Sequence, residues 1–235
     1  MTLNEVMQAL STMGDENSKK VLMRHGAREP FYGVKVQDLK ILQKRIKKDY
    51  NLSLELYNTG NSDAMYLASL IADPPQMTKE QIEQWAKQAY WYMLSEYPVA
   101  WVASESQYGW SLALEWIESP LENIATAGWA TLSCIAAIKP DYELDLNAYK
   151  QLLERVQNEI GDAPNRVRYT MNNFIISVGA YIVPLYSLAT QIALSVGKVN
   201  VNMGQTACKV PLASEYIQKI FDMGKVGKKR KSARC

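Results

Sequence analysis

The chain has 235 residues, of which 48% are hydrophobic and 21% charged, and its net charge is +2 at pH 7. This length suits one well-buried domain or one repeat array, and no apolar run is long enough to span a bilayer. The first residues lack the basic and apolar regions of a signal peptide, so we expect a cytoplasmic protein, and we expect it to be a monomer.

Cysteine and histidine are too few for several kinds of chemistry. The three cysteines are widely spaced and form no CxxC or Cys/His metal pattern, which argues against a disulfide framework and a zinc site. A Ser-His-Asp or Cys-His mechanism would need His25 as its base, and no nucleophile stands near it in the sequence. We therefore predict no metal and no cofactor, and we place His25 at a helix end or on the surface.

Helical signals follow one another in the first half of the chain. Leucines at 39 and 42 and an isoleucine at 46 give one apolar helix face, opposite a basic face. Thr78 and Gln81 form a candidate capping box for a helix through Trp85. We predict that this helix runs over about 80–96 and that Pro98 breaks it, because proline lacks the amide donor.

The second half has the same character. Pro120 fits the first turn of a helix after Ser119, and 161–164 is a candidate helix junction. Helix pairs recurring at roughly 35–45 residues indicate an all-α fold, an α-solenoid of HEAT-like helix pairs, with an irregular helical bundle as the alternative. We predict one domain over 1–224 and a basic, flexible tail over 225–235.

Two basic clusters stand out, one over 40–48 and one over 225–234. Such clusters can neutralise phosphates and release counterions. The simpler interpretation is a solvated helix face and a disordered tail.

Four segments in order resemble the AlkD family of alkylpurine DNA glycosylases. They are FYGVKVQDL at 31–39, LASLIADP at 67–74, NRVRYTMN at 165–172, and GKV at 197–199 followed by TACKVP at 206–211. The resemblance implies a concave, right-handed solenoid of helix pairs that cradles duplex DNA. It also assigns functional positions: Trp91 matches the tryptophan that faces the lesioned nucleotide, Ser95 the catalytic aspartate, Thr126 a supporting arginine, and Asn173 a later tryptophan.

Three of these four positions depart from the family, and the missing carboxylate matters most. A carboxylate about 4 Å from the cationic sugar is worth roughly 4 kcal/mol at an effective dielectric near 20. That energy corresponds to about a thousandfold in rate, and a serine dipole cannot supply it. Glu96 and Glu105 could substitute: Glu96 is next to Ser95, and Glu105 follows Trp101 by the family's spacing. Both have the simpler interpretation of solvated helix glutamates, and Asp63 that of a helix cap.

We therefore predict a DNA-binding protein with little or no base excision, whose target is damaged or branched duplex DNA. The predicted phosphate contacts are Lys35, Lys40, Lys44, Arg166, Arg168 and Lys209. One alternative is an active glycosylase that uses Glu96 or Glu105. The other is a protein-interaction scaffold, which would present a neutral or acidic concave face.

Overall fold

The computed structural model describes residues 1–234, and within them all regular structure is helical. Three helices form the N-terminal part: α1 (Leu3–Met13), α2 (Glu16–Arg24) and α3 (Val36–Ile46). From there on, helices of an outer row alternate with helices of an inner row. This alternation confirms the predicted α-solenoid of HEAT-like helix pairs.

The outer row contains five helices, α4 (Tyr50–Asn58), α6 (Lys79–Gln88), α9 (Gly109–Trp116), α11 (Leu146–Glu159) and α13 (Tyr186–Val196). The inner row contains α5 (Ser62–Ile71), α7 (Tyr92–Leu94), α8 (Ala100–Glu105), α10 (Glu122–Ile138), α12 (Asn165–Tyr181) and α14 (Ala213–Asp222). Neighbouring inner helices pack directly on each other, most extensively α10 on α12. The inner row therefore forms one continuous layer of packed helices.

Short helical turns join or extend these helices. Three are 3₁₀ turns, at Pro74–Gln76, Asp141–Glu143 and Val183–Leu185. Within residues 1–234 no single helix is long and apolar enough to cross a bilayer; α12 and the segment after it reach that length only with a 116° bend between them.

Local signals explain two of the predicted helices, whereas the predicted start at Pro120 was wrong, because α10 begins at Glu122 after Leu121. Leu39 and Leu42 are buried on α3, as the apolar periodicity predicts. Both halves of the Thr78–Gln81 capping box are formed at the start of α6. These two predictions are confirmed.

The expected break at Pro98 was wrong. The chain leaves the helical conformation earlier, at Ala89, and re-enters it after Trp91. Pro98 then lies inside a π-helical turn, Ser95–Val99, that joins α7 to α8 without interruption. The wider π turn accommodates the ring and the missing amide donor, which an ordinary α turn would not.

The tail after α14 is packed against the helices up to residue 234, whereas we predicted a flexible tail; Cys235 lies outside the described residues. The Gly227 amide donates to the Ala180 carbonyl at the end of α12, and the Arg230 amide donates to the Ala137 carbonyl at the end of α10. Arg234 then donates to the Leu70 and Ala72 carbonyls, at the end of α5. We call residues 227–234 the strap, because they run back along one edge of the inner row.

Electrostatics explain why a basic segment docks there. The last carbonyls of a helix lack intrahelical donors and carry the negative end of the helix dipole, so cations and amide donors stabilise them. Glu105, the last residue of α8, adds a charge: it accepts from Ser232 and the Ala233 amide and pairs with Arg234 at 3.0 Å. Ala233 is only 1% exposed, so the strap also contributes to the core.

Candidate nucleic-acid interface

The position matched to the catalytic aspartate is buried and is not accessible to solvent. Ser95 has no exposed surface, and its Oγ lies 3.3 Å from Thr126 Oγ1 and 3.3 Å from the Tyr92 carbonyl oxygen. Thr126, matched to the supporting arginine, is 1% exposed and donates to the Asn123 carbonyl at 3.0 Å. The two matched positions are thus in contact, as an aspartate–arginine pair would be, but they hold two neutral hydroxyls.

Trp91 is a buried side chain, with 7% of its surface exposed. Its ring makes an edge contact with Tyr92, and its Nε1–H has no hydrogen-bond partner among residues 1–234. The ring lines a cavity of about 510 Å³ between α2, α3 and α5, which Lys35 and Asp63 also line. Trp91 therefore does not present an open face on the inner row.

Asp63 is the buried carboxylate of that cavity. It accepts hydrogen bonds from the amides of Tyr32, Gly33 and Val34 at 2.6, 3.0 and 3.2 Å. Burial raises the pKa of Asp63 although these donors lower it. The carboxylate ties the loop before α3 to the start of α5; it does not cap α5 as predicted, because Asn61 is the N-cap of that helix.

Glu96 lies beside Ser95 but faces a cation. Its two oxygens accept from Arg166 Nε at 2.8 Å and Nη2 at 2.6 Å. The guanidinium lies between the rings of Tyr92 and Tyr169, 4.0 and 4.2 Å from their centroids. Burial raises the pKa of Glu96 to about 7, against the lowering effect of Arg166. Tyr92 also hydrogen-bonds His25, the residue that ends α2, at 2.9 Å.

The second candidate carboxylate, Glu105, holds the strap and is described above. The simpler interpretation, that Glu96 and Glu105 are solvated helix glutamates, was therefore wrong for both residues. Among residues 1–234 no cluster of three His, Cys, Asp or Glu side chains is arranged to hold a metal ion.

The predicted phosphate contacts do not gather at one place. Lys40 and Lys44 lie one turn apart on α3, and Lys35 is the residue before it. Arg166 is held by Glu96, with 14% of its side chain exposed. Arg168 follows on α12, half-buried, with an unpartnered Nε. The sixth, Lys209, is exposed on the loop before α14.

Lys209 is one rim of a groove that the sequence did not predict. The groove, which we call the inner groove, has a volume of about 570 Å³ and is lined by residues of the α7–α8 helix, α10, α12, α14, the 209–211 loop and the strap. Its charged lining residues are Glu96, Lys209 and Arg230, two cations against one carboxylate. One signal for it exists in the sequence: Tyr169, Asn173 and Ser177 recur every four residues on α12 and share one face.

Comparisons with known proteins bear on this surface. A family model described as "DNA alkylation repair enzyme" matches residues 6–187. An uncharacterised protein of Listeria innocua and one of Listeria monocytogenes are each 35% identical over 225 residues, covering 93% of this chain and 97% of theirs. One solved structure, described as a new family of proteins related to the HEAT-like repeat DNA glycosylases with affinity for branched DNA structures, is 40% identical, with a TM-score of 0.92 and full coverage of both chains.

Proposed function

Because the chain belongs to the DNA alkylation repair enzyme family, we propose that it binds branched or damaged duplex DNA on its inner row and does not excise bases. The observation that carries the proposal is the buried contact between Ser95 and Thr126. A glycosylase transition state needs negative charge beside the sugar. This pair supplies none, and nine-tenths or more of both side chains is shielded from solvent.

The preference for branched DNA rests on the similar solved structure, whose family is described as having affinity for branched DNA structures. The similarity extends over the whole of both chains. A concave solenoid surface recognises DNA by shape and backbone, since it places no single helix deep in the major groove. Branch points differ from linear duplexes mainly in shape, so they suit this mode of recognition.

The charge of the inner groove supports DNA over a peptide partner. A scaffold for proteins would present a neutral or acidic face, whereas the inner groove carries the exposed Lys209, and its one carboxylate, Glu96, is already neutralised by Arg166.

The proposal is tested by fluorescence anisotropy with a labelled three-way junction and a linear duplex of the same length and sequence. We expect tighter binding to the junction and affinity that falls steeply as salt rises, because phosphate contacts release counterions. Lys209→Ala should weaken binding and reduce the salt slope by about one. Lys150→Ala, an exposed lysine on the outer helix α11, is the matched control and should bind normally. Equal affinity for both DNAs, or affinity independent of salt, would contradict the proposal.

The glycosylase alternative makes a separate demand on two residues. It requires that Glu96 or Glu105 leave its cation and reach the sugar, although each holds an arginine at 3.0 Å or closer. If excision is found, Glu96→Gln and Glu105→Gln, made one at a time, identify the carboxylate responsible. Activity unchanged in both variants would remove this alternative.

A further inference from the structure

We propose that the inner groove holds one unpaired nucleotide at the branch point of the DNA. This inference rests on the proposed function, because it names the part of a branched DNA that the groove recognises. The volume of about 570 Å³ falls within the roughly 300–1,000 Å³ of pockets that enclose small ligands. A duplex is too wide to enter such a space, whereas a single extruded nucleotide is not.

Aromatic rings form the walls of the inner groove. Tyr97 comes from the π turn and packs edge-on against Trp101, with centroids 5.8 Å apart. Tyr169 comes from α12 and is fixed by its stack on Arg166. Tyr216, on α14, is 49% exposed at the opening. Aromatic faces stack on any base, so these walls suit a nucleobase without selecting its identity.

The floor supplies hydrogen bonds that the protein itself does not use. Asn173 and Ser177 lie one turn apart on α12, half-buried, and face the groove. Within residues 1–234 neither side chain hydrogen-bonds another protein group. In contrast, Ser133, also in the lining, donates to the Trp129 carbonyl at 2.9 Å. An asparagine amide both donates and accepts, which matches the edge of a base that has lost its partner.

Charge beside the groove fits the phosphate next to that base. Lys209, exposed on the loop before α14, lines the groove. Glu96 adds no net repulsion, because its carboxylate is held bidentately by Arg166. A base with its phosphate therefore meets an aromatic and polar pocket with a cation beside it.

A branch point supplies such a nucleotide at low cost. Taking a base out of a paired stack requires unpairing and unstacking energy, and this cost is least where the base is already single-stranded. Bases at a junction with unpaired residues meet that condition. The inner groove would thus distinguish a branch with an unpaired nucleotide from a fully paired one.

The test uses the full chain and two three-way junctions that differ only at the branch, one with an unpaired 2-aminopurine and one fully paired. Binding is followed by anisotropy and by the fluorescence of 2-aminopurine, which changes when the base stacks on an aromatic ring. We expect the unpaired junction to bind about tenfold more tightly and its fluorescence to change on binding. Asn173→Ala and Tyr216→Ala should each remove most of both effects. Asn147→Ala, an exposed asparagine on α11, should remove neither.

The outcomes separate the two proposals. If both junctions bind equally and the fluorescence does not change, this inference is overturned while the proposed function stands. If Asn173→Ala and Tyr216→Ala behave as the unsubstituted protein, the nucleotide lies elsewhere and the assignment of the groove is wrong. If no junction binds, the proposed function itself fails.

Discussion

A serine hydroxyl, not a carboxylate, faces Thr126 at position 95. The surrounding space is fully buried, so the local chemistry is that of a packed core with satisfied hydroxyls. Replacing charged groups by neutral ones at such a place removes a desolvation cost as well as a catalytic group. Stability and activity therefore favour different residues at this position.

Restoring the carboxylate should harm the fold. Ser95→Asp places a buried charge opposite a neutral threonine, and we expect the free energy of unfolding near pH 8 to fall by roughly 3 kcal/mol. Burial would raise the pKa of this aspartate, so the loss should shrink as the pH falls toward about 4. Urea unfolding measures this effect, with the neutral Ser95→Asn as control. Equal stability of the two variants near pH 8 would show that position 95 is not closed.

Glu96 gives the unsubstituted protein a pH dependence of its own. Its pKa is about 7 in the folded state and about 4.3 in an unfolded chain. Between these two pH values Glu96 is protonated in the folded protein but ionised in the unfolded chain. The free energy of unfolding should therefore fall as the pH rises from about 4.5 to 7. Glu96→Gln should lose this slope in urea unfolding, and the exposed Glu154→Gln should keep it. Identical slopes in all three proteins would rule out the raised pKa.

The site was only partly predictable from the sequence, because some of its contacts join residues that are far apart in the chain. Position 95 could be assigned because it follows Trp91 by the family's spacing, and position 126 because the family's arginine falls near it, although neither lies in the four matching segments. The Glu96–Arg166 pair could not, since its members are separated by 70 residues and ion pairs at that separation leave no local signal. The polar floor of the inner groove has a weak signal, the four-residue recurrence on α12.

At the level of elements, helix starts were easier to predict than helix ends or connections. Capping residues act within one turn, so Thr78 and Gln81 sufficed to place α6. Pro98 was misleading because a π turn can absorb a proline. The strap was missed because its partners are helix ends from α5 to α12, which only the folded chain brings to one edge.

The strap should contribute measurably to stability through its last arginine. Arg234 donates to two carbonyls and pairs with Glu105, with 13% of its side chain exposed. We expect Arg234→Ala to lower the free energy of unfolding by about 2 kcal/mol, the cost of losing hydrogen bonds from a charged donor. Lys231→Ala, at an exposed lysine of the same strap, should change it by less than about 0.5 kcal/mol. Similar losses in both variants would mean that the tail acts through its net charge alone.

At the level of the whole molecule, the fold and the family could be predicted because both depend on patterns repeated along the chain. Helical periodicity recurs in every repeat, and four motifs in order are more specific than any one of them. The strap and the loop before α14 both contribute residues to the lining of the inner groove. We propose that the inner row of this solenoid holds DNA and that two neutral hydroxyls occupy the positions matched to a catalytic pair.

The most direct test of this account is single-turnover release of 7-methylguanine from alkylated duplex DNA. The protein is used in excess, at a concentration at which anisotropy shows the same DNA to be bound. We predict no release above the control without protein, because binding remains while the carboxylate is absent. Release of 7-methylguanine above that control by the bound protein would contradict this account and would show that the protein is an active glycosylase.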